Sequence, residues 1–256
     1  MRAQSALAVT AAALILACGK SDRPPSGQAP GAAETPAAVP GPTGRATVRG
    51  TVRLTGAAPA NPAIDMAEEP KCKARYTATP TQPIVVAGAN GVLANVFVYV
   101  KAGLPEGATY PPAASPVTID QSGCLYRPRV MGLMVGQTLA ITNSDSLLHN
   151  IKALGKANRP FNISQPAAGM TTNRTFSATE VVVPLECSVH GWMHAWVGVL
   201  PHPFFATTGA DGAFTIANLP AGTYTVEVWH EALGSQTTTV TVQDDETKAA
   251  DFTYRR

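Results

Sequence analysis

Residues 185–196, LECSVHGWMHAW, bring together a thiol, two imidazoles and a thioether within one short stretch. Cys187, His190 and Met193 are spaced C-x2-H-x2-M, and a further imidazole, His149, lies upstream in ITNSDSLLHNI. A tight Cys–His–Met loop with one imidazole from a distant strand is a ligand set that suits copper in both oxidation states. Soft thiolate and thioether favour Cu(I), imidazole tolerates Cu(II), and a trigonal His2Cys site with a long axial Met lies between the two preferences. Taken singly, a Cys or Met in a β protein is more often core filler. His194, directly after Met193, is a rival for the axial position, although adjacent strand residues face opposite ways.

These two segments resemble the cupredoxins. VGQTLAITNSDSLLHNI is similar to the strand that carries that family's first ligand, and LECSVHGWM to the loop that carries the other three, at the short spacing of the amicyanin branch. The resemblance covers about residues 115–200. It implies one copper ion held by His149, Cys187 and His190 with Met193 axial. It also implies that Asn150 ties the first-ligand strand to the Cys loop by hydrogen bonds. Trp192, Trp196, Leu147, Leu148, Pro160, Phe161 and Met170 read either as an apolar collar around such a site or simply as core, with core the better reading for Phe161.

The elements that must position these residues read as strands. Alternating or β-branched runs occur at 45–56, 95–101, 137–143, 180–186, 195–200, 212–219, 223–230 and 236–242, separated by turn signals such as GADG and PAG. Residues 104–117 are Pro-rich and read as a connection, and 64–76 could hold one short helical turn. The expectation is an all-β chain of sandwiches.

The stretch 206–242 resembles the carboxypeptidase regulatory-like (transthyretin-like) β-sandwich, whose usual first strands are similar to 46–56 and 95–101. The implied organisation is a discontinuous sandwich of residues 45–103 and 201–256, with a Greek-key cupredoxin sandwich, 104–200, inserted between its halves. Nothing points to an enzyme. WHEALG begins like a zinc helix but lacks the second His, Asp211 reads as a turn residue, and His202 and His230 have no partners at metal spacing. No second copper site of the kind a nitrite reductase or oxidase needs is visible.

The opening segment is read as an export signal: one Arg, an apolar run, then Ile15-Leu16-Ala17-Cys18. It resembles a bacterial lipobox, which implies acylation of Cys18 and anchoring on the periplasmic face of a membrane, the outer membrane by default sorting, or at the cell surface. An ordinary secretory signal that happens to hold a Cys is the alternative. Residues 19–44, rich in Pro, Ala and Gly, read as a disordered tether. If Cys187 binds copper, Cys72 and Cys124 remain, either bridged or as two free buried thiols.

With 19 basic and 17 acidic residues the net charge is +2, which offers no argument for a nucleic-acid partner. The functional expectation is an exported blue copper protein that passes single electrons between a donor and an acceptor protein. A periplasmic copper-binding, storage or delivery protein is the alternative.

Overall fold

The structure, a computed structural model, describes residues 39–256. The expected signal segment, Cys18 and most of the expected tether lie outside the described residues. The end of that tether is structured, contrary to expectation. Val39–Pro40 pairs in parallel with Ala108–Thr109, so a short bridge also interrupts the Pro-rich connection. Tyr110 secures it, its hydroxyl donating to the Pro42 carbonyl.

The described chain is all-β, and its strands form two β-sandwiches. In the first, one sheet runs in the order Phe205–Thr207, Phe97–Ala102, Gly222–His230, Gly234–Val242. The facing sheet is built on Ala46–Thr55, flanked by Ala213–Leu219 on one side and by Thr247–Ala249 and Phe252–Arg255 on the other. Ala46–Thr55 buries Ala46, Val48, Val52 and Leu54 while its alternate positions face outward, as a period of two demands. The shared core therefore draws on residues 46–100 and again on 204–254, and skips the chain between.

The second sandwich uses that intervening chain. One sheet runs Phe161–Gln165, His149–Ala153, Glu180–Glu186, His194–Leu200, Val130–Met134. The other runs Met170–Arg174, Leu139–Asn143, Val117–Gln121, Tyr126–Arg127. Its core, from Ile119 to Val199, includes Cys187 and Met193.

The two sandwiches are packed against each other. Gly132 and Gly198 sit opposite one another on paired strands, and a Cβ at Gly132 or Gly198 would lie 2.5 or 2.3 Å from the Phe97 ring. The bare backbone at these two positions forms the slot that admits that ring. Tyr99, Val130, Leu200, Trp196, Phe205 and Trp229 complete the cluster. A buried ion pair, Arg129 with Glu231, spans the same junction.

A long excursion from the first sandwich, residues 57–94, reaches over to the second. It contains the one-turn helix Pro70–Lys73 and buries Ile64, Met66 and Cys72 together with Cys124. Cys72 and Cys124 are joined as a disulfide with Cα atoms 5.8 Å apart.

Candidate metal centre

Two local structures bring the sequence-predicted ligands together. The first is the turn after Leu139–Asn143. The Asn143 side chain donates to the Leu147 and Gln165 carbonyls and accepts from the Asp145 N–H. This Asx-type turn delivers the chain into His149–Ala153 with the His149 ring buried. The second is the loop between Glu180–Glu186 and His194–Leu200. It is closed by the Met193 N–H to the His190 carbonyl (2.9 Å) and the Cys187 N–H to the Met193 carbonyl (3.2 Å).

The result is a buried cluster. His149 Nδ1 lies 2.9 Å from His190 Nδ1, and Cys187 Sγ lies 3.8 Å from the same His190 nitrogen. One donor atom from each of the three residues falls within 4.8 Å of the other two. Met193 is fully buried in the adjoining core, whereas His194 is only half-buried and pairs across the sheet with Glu186. Asn150 reaches the Cys loop: its Oδ1 accepts from the Ser188 N–H (2.6 Å) and from the Cys187 thiol (3.2 Å), and its Nδ2 donates to Ser188 Oγ.

The surroundings favour thiolate at Cys187. Burial pushes its pKa up, but hydrogen bonding from His190 and from backbone N–H groups outweighs burial and holds it below the ordinary thiol value. Tyr126, whose hydroxyl donates to the Asn150 carbonyl, has its pKa raised by burial first and by the nearby Cys187 charge second. The donor set fits a soft, tetrahedral or trigonal metal ion: two imidazole nitrogens and one activated sulfur converge with little solvent access.

Sequence reasoning missed the contacts of four groups on the far side of the rings. Asp145 Oδ2 lies 2.9 Å from His149 Nε2, and both side chains are buried. Arg75, from the excursion, sits 3.0 Å from Asp145 Oδ1. Glu69 Oε1 and Cys72 Sγ each lie 3.8 Å from His190 Nε2. None carries a spacing signal, because Arg75, Glu69 and Cys72 arrive from the other sandwich's chain. Two overlapping donor groups, Glu69–Cys72–His190 and Cys124–Asp145–His149, each include one half of the disulfide.

The Nε2 edge of the His190 ring is not open to solvent, the residue being only 1% exposed. The helix Pro70–Lys73 with its disulfide covers that edge, and the Trp192 ring packs against it at 5.2 Å between centroids. Trp192 is held there by its Nε1–H, which donates to the Cys124 carbonyl. The apolar residues left exposed beside the cluster are Leu148 and Val189, next in sequence to His149 and His190. Val189 shares a groove with Trp192, Asp65, Glu68 and Glu69. Trp196 does not join a collar, since it packs on Trp229 at the junction of the sandwiches. Phe161 packs on the core against Phe176.

Comparison with known proteins finds a family-model match in the C-terminal part. Residues 199–255 match the carboxypeptidase regulatory-like domain. No curated protein matches the chain. Among solved structures, a copper-containing nitrite reductase from Thermus scotoductus is 20% identical over 48% of this chain, with a TM-score of 0.33. The match spans only 27% of that enzyme's length. A purple cupredoxin from Nitrosopumilus maritimus is 26% identical over 32% of this chain and 98% of its own, with a TM-score of 0.28. A reduced Cu(I) form of amicyanin is 18% identical over 35% of this chain and 91% of its own, with a TM-score of 0.30.

Proposed function

We propose that the protein binds one copper ion through His149, Cys187 and His190, with Met193 as axial ligand, and carries single electrons between a donor and an acceptor protein. The supporting observation is the convergence of two imidazole Nδ1 atoms and one thiol in a buried cluster, within 4.8 Å of one another. Copper would supply the redox step; the chain fixes its geometry and shields it from water. Cys187 supplies the thiolate, Asn150 holds the Cys loop in register by accepting the Ser188 N–H, and the second core packs against the site. Partner proteins would approach over Leu148 and Val189, the exposed apolar residues beside the ligands. Export and lipid anchoring through Cys18 complete the reading, placing the site at the periplasmic face of a membrane.

The test is copper loading of the full chain. The loaded protein should be intensely coloured by thiolate-to-Cu(II) charge transfer and show a narrow parallel hyperfine splitting in EPR. Cys187→Ala should abolish both, and colour that persists in this variant would overturn the assignment. The anchor is tested by palmitate labelling in a Gram-negative host: Cys18→Ser should remove the label, and a label that survives contradicts the lipobox reading.

A further inference from the structure

His149 is the ligand whose far ring nitrogen meets a full carboxylate. An ionised carboxylate only accepts hydrogen bonds, so the 2.9 Å contact makes His149 Nε2 the donor and leaves its Nδ1 lone pair facing Cys187 and His190. Asp145 is held for this role from several sides. Oδ1 accepts the Gly123 N–H (3.0 Å), and Oδ2 accepts the Cys124 N–H (2.7 Å). Arg75 Nη1 stands 3.0 Å from Oδ1. Arg75 follows the disulfide-linked helix Pro70–Lys73, and its neighbour Tyr76 donates to the Gly123 carbonyl. The carboxylate is thus clamped between the copper-side sandwich and a segment that belongs to the other sandwich.

We propose that Arg75, Asp145 and His149 form a positioning relay through which the excursion 57–94 sets the electron balance of the metal centre. This rests on the copper reading above. Asp145 fixes the His149 tautomer and makes the imidazole a stronger donor, which favours the more highly charged metal state. Buried at 1% exposure, it acts with little solvent screening. Arg75, 39% exposed, offsets part of that charge. Asp145 is not itself a ligand in this relay, and its effect reaches the metal through His149.

Two measurements on the full chain test it. Spectroelectrochemical titration of the copper-loaded protein should show Asp145→Asn raising the potential by roughly a tenfold change in the Cu(I):Cu(II) balance, about 59 mV for one electron. Arg75→Gln should lower the potential by less, and should have no effect once Asp145→Asn is present, since neighbours in one network are non-additive. An unchanged potential in copper-bound Asp145→Asn, or an Arg75→Gln effect that is the same with and without Asp145, overturns the relay. Nitrogen-15 NMR of the metal-free chain is independent of copper. Native His149 should be the Nε2–H tautomer, and Asp145→Asn should raise the Nδ1–H fraction. A native Nδ1–H tautomer, or a mixture that Asp145→Asn leaves unchanged, overturns the proposal even if the chain takes up no copper. A chain that keeps the NMR result while failing to load copper separates the relay from the electron-carrier reading.

Discussion

Met193 and His194 are neighbours with unlike surroundings: the thioether is sealed in the second core, and the imidazole stands half-buried at the start of the strand His194–Leu200. That difference supports sulfur rather than a third imidazole as the weak axial donor. Replacing Met193 by Gln should keep copper bound and lower the potential, because an oxygen donor favours Cu(II). His194→Ala should shift the potential less than Met193→Gln does. The reverse ranking, read by the same titration, would assign the axial position to His194. At this scale the clustering of His149, Cys187 and His190 was legible because the C-x2-H-x2-M spacing lies within one loop and His149-Asn150 within one strand. Asp145 was not legible. It sits in a polar turn, where an acidic residue ordinarily caps backbone N–H groups, and its ring contact follows only from the path of that turn.

Among the elements, the excursion 57–94 has the largest effect for the least regular structure. It contributes one α-helical turn and the short 3₁₀ turn Ala89–Gly91, yet the disulfide at its centre crosses to the other sandwich and closes a separation of 52 residues. In the chain-entropy picture a loop of that length is worth about 4 kcal/mol. The pair of substitutions Cys72→Ser and Cys124→Ser should therefore lower unfolding stability in denaturant by roughly that amount. It should also raise the exposure of His190, read as faster hydrogen–deuterium exchange in the 187–193 loop. A variant as stable and as protected as the native chain would show that packing of Ile64, Met66 and Tyr76 alone holds the cover in place. Strands of the first sandwich were readable because the buried apolar residues of Ala46–Thr55 and Gly222–His230 recur at every second position, as at Val52 and Leu54 and at Tyr224, Val226 and Val228. Those of the second were less readable, and three of them show why. Val130–Met134 is buried at four of five positions and so lacks a period, and Met170–Arg174 buries none of its residues. Phe161–Gln165 alternates, but its apolar positions are only half-buried. The cover over His190 was illegible because it depends on a contact between remote parts of the chain.

The molecule as a whole carries buried imidazoles away from the metal centre. His202 packs between Tyr110 and Phe204 and accepts the Phe204 N–H, which requires an unprotonated Nδ1. Burial lowers its pKa to about 4. Burial also lowers the pKa of His230. An unfolded His titrates near pH 6.5, so between about pH 6.5 and pH 4 the unfolded chain binds a proton that the folded chain refuses. Stability is full above that window and falls as the pH drops through it, by on the order of 3 kcal/mol for His202. His202→Gln, which keeps an acceptor but cannot titrate, should flatten the acid limb of the stability curve measured by thermal unfolding against pH. An unchanged acid limb would place the loss elsewhere, for instance at Glu180, whose pKa stays lowered because hydrogen bonds from Asn158 and the 156–158 backbone outweigh its burial. The ring of Phe97 in its slot between Gly132 and Gly198 bears on the chain's descent. A bulkier residue at either glycine would collide with the ring, and a smaller residue at 97 would leave a void beside two bare backbones. Neither half of the junction can vary alone without loss. In the lineage of this chain the three positions should be inherited as one character, so that the two sandwiches diverge together and neither is exchanged for a foreign copy.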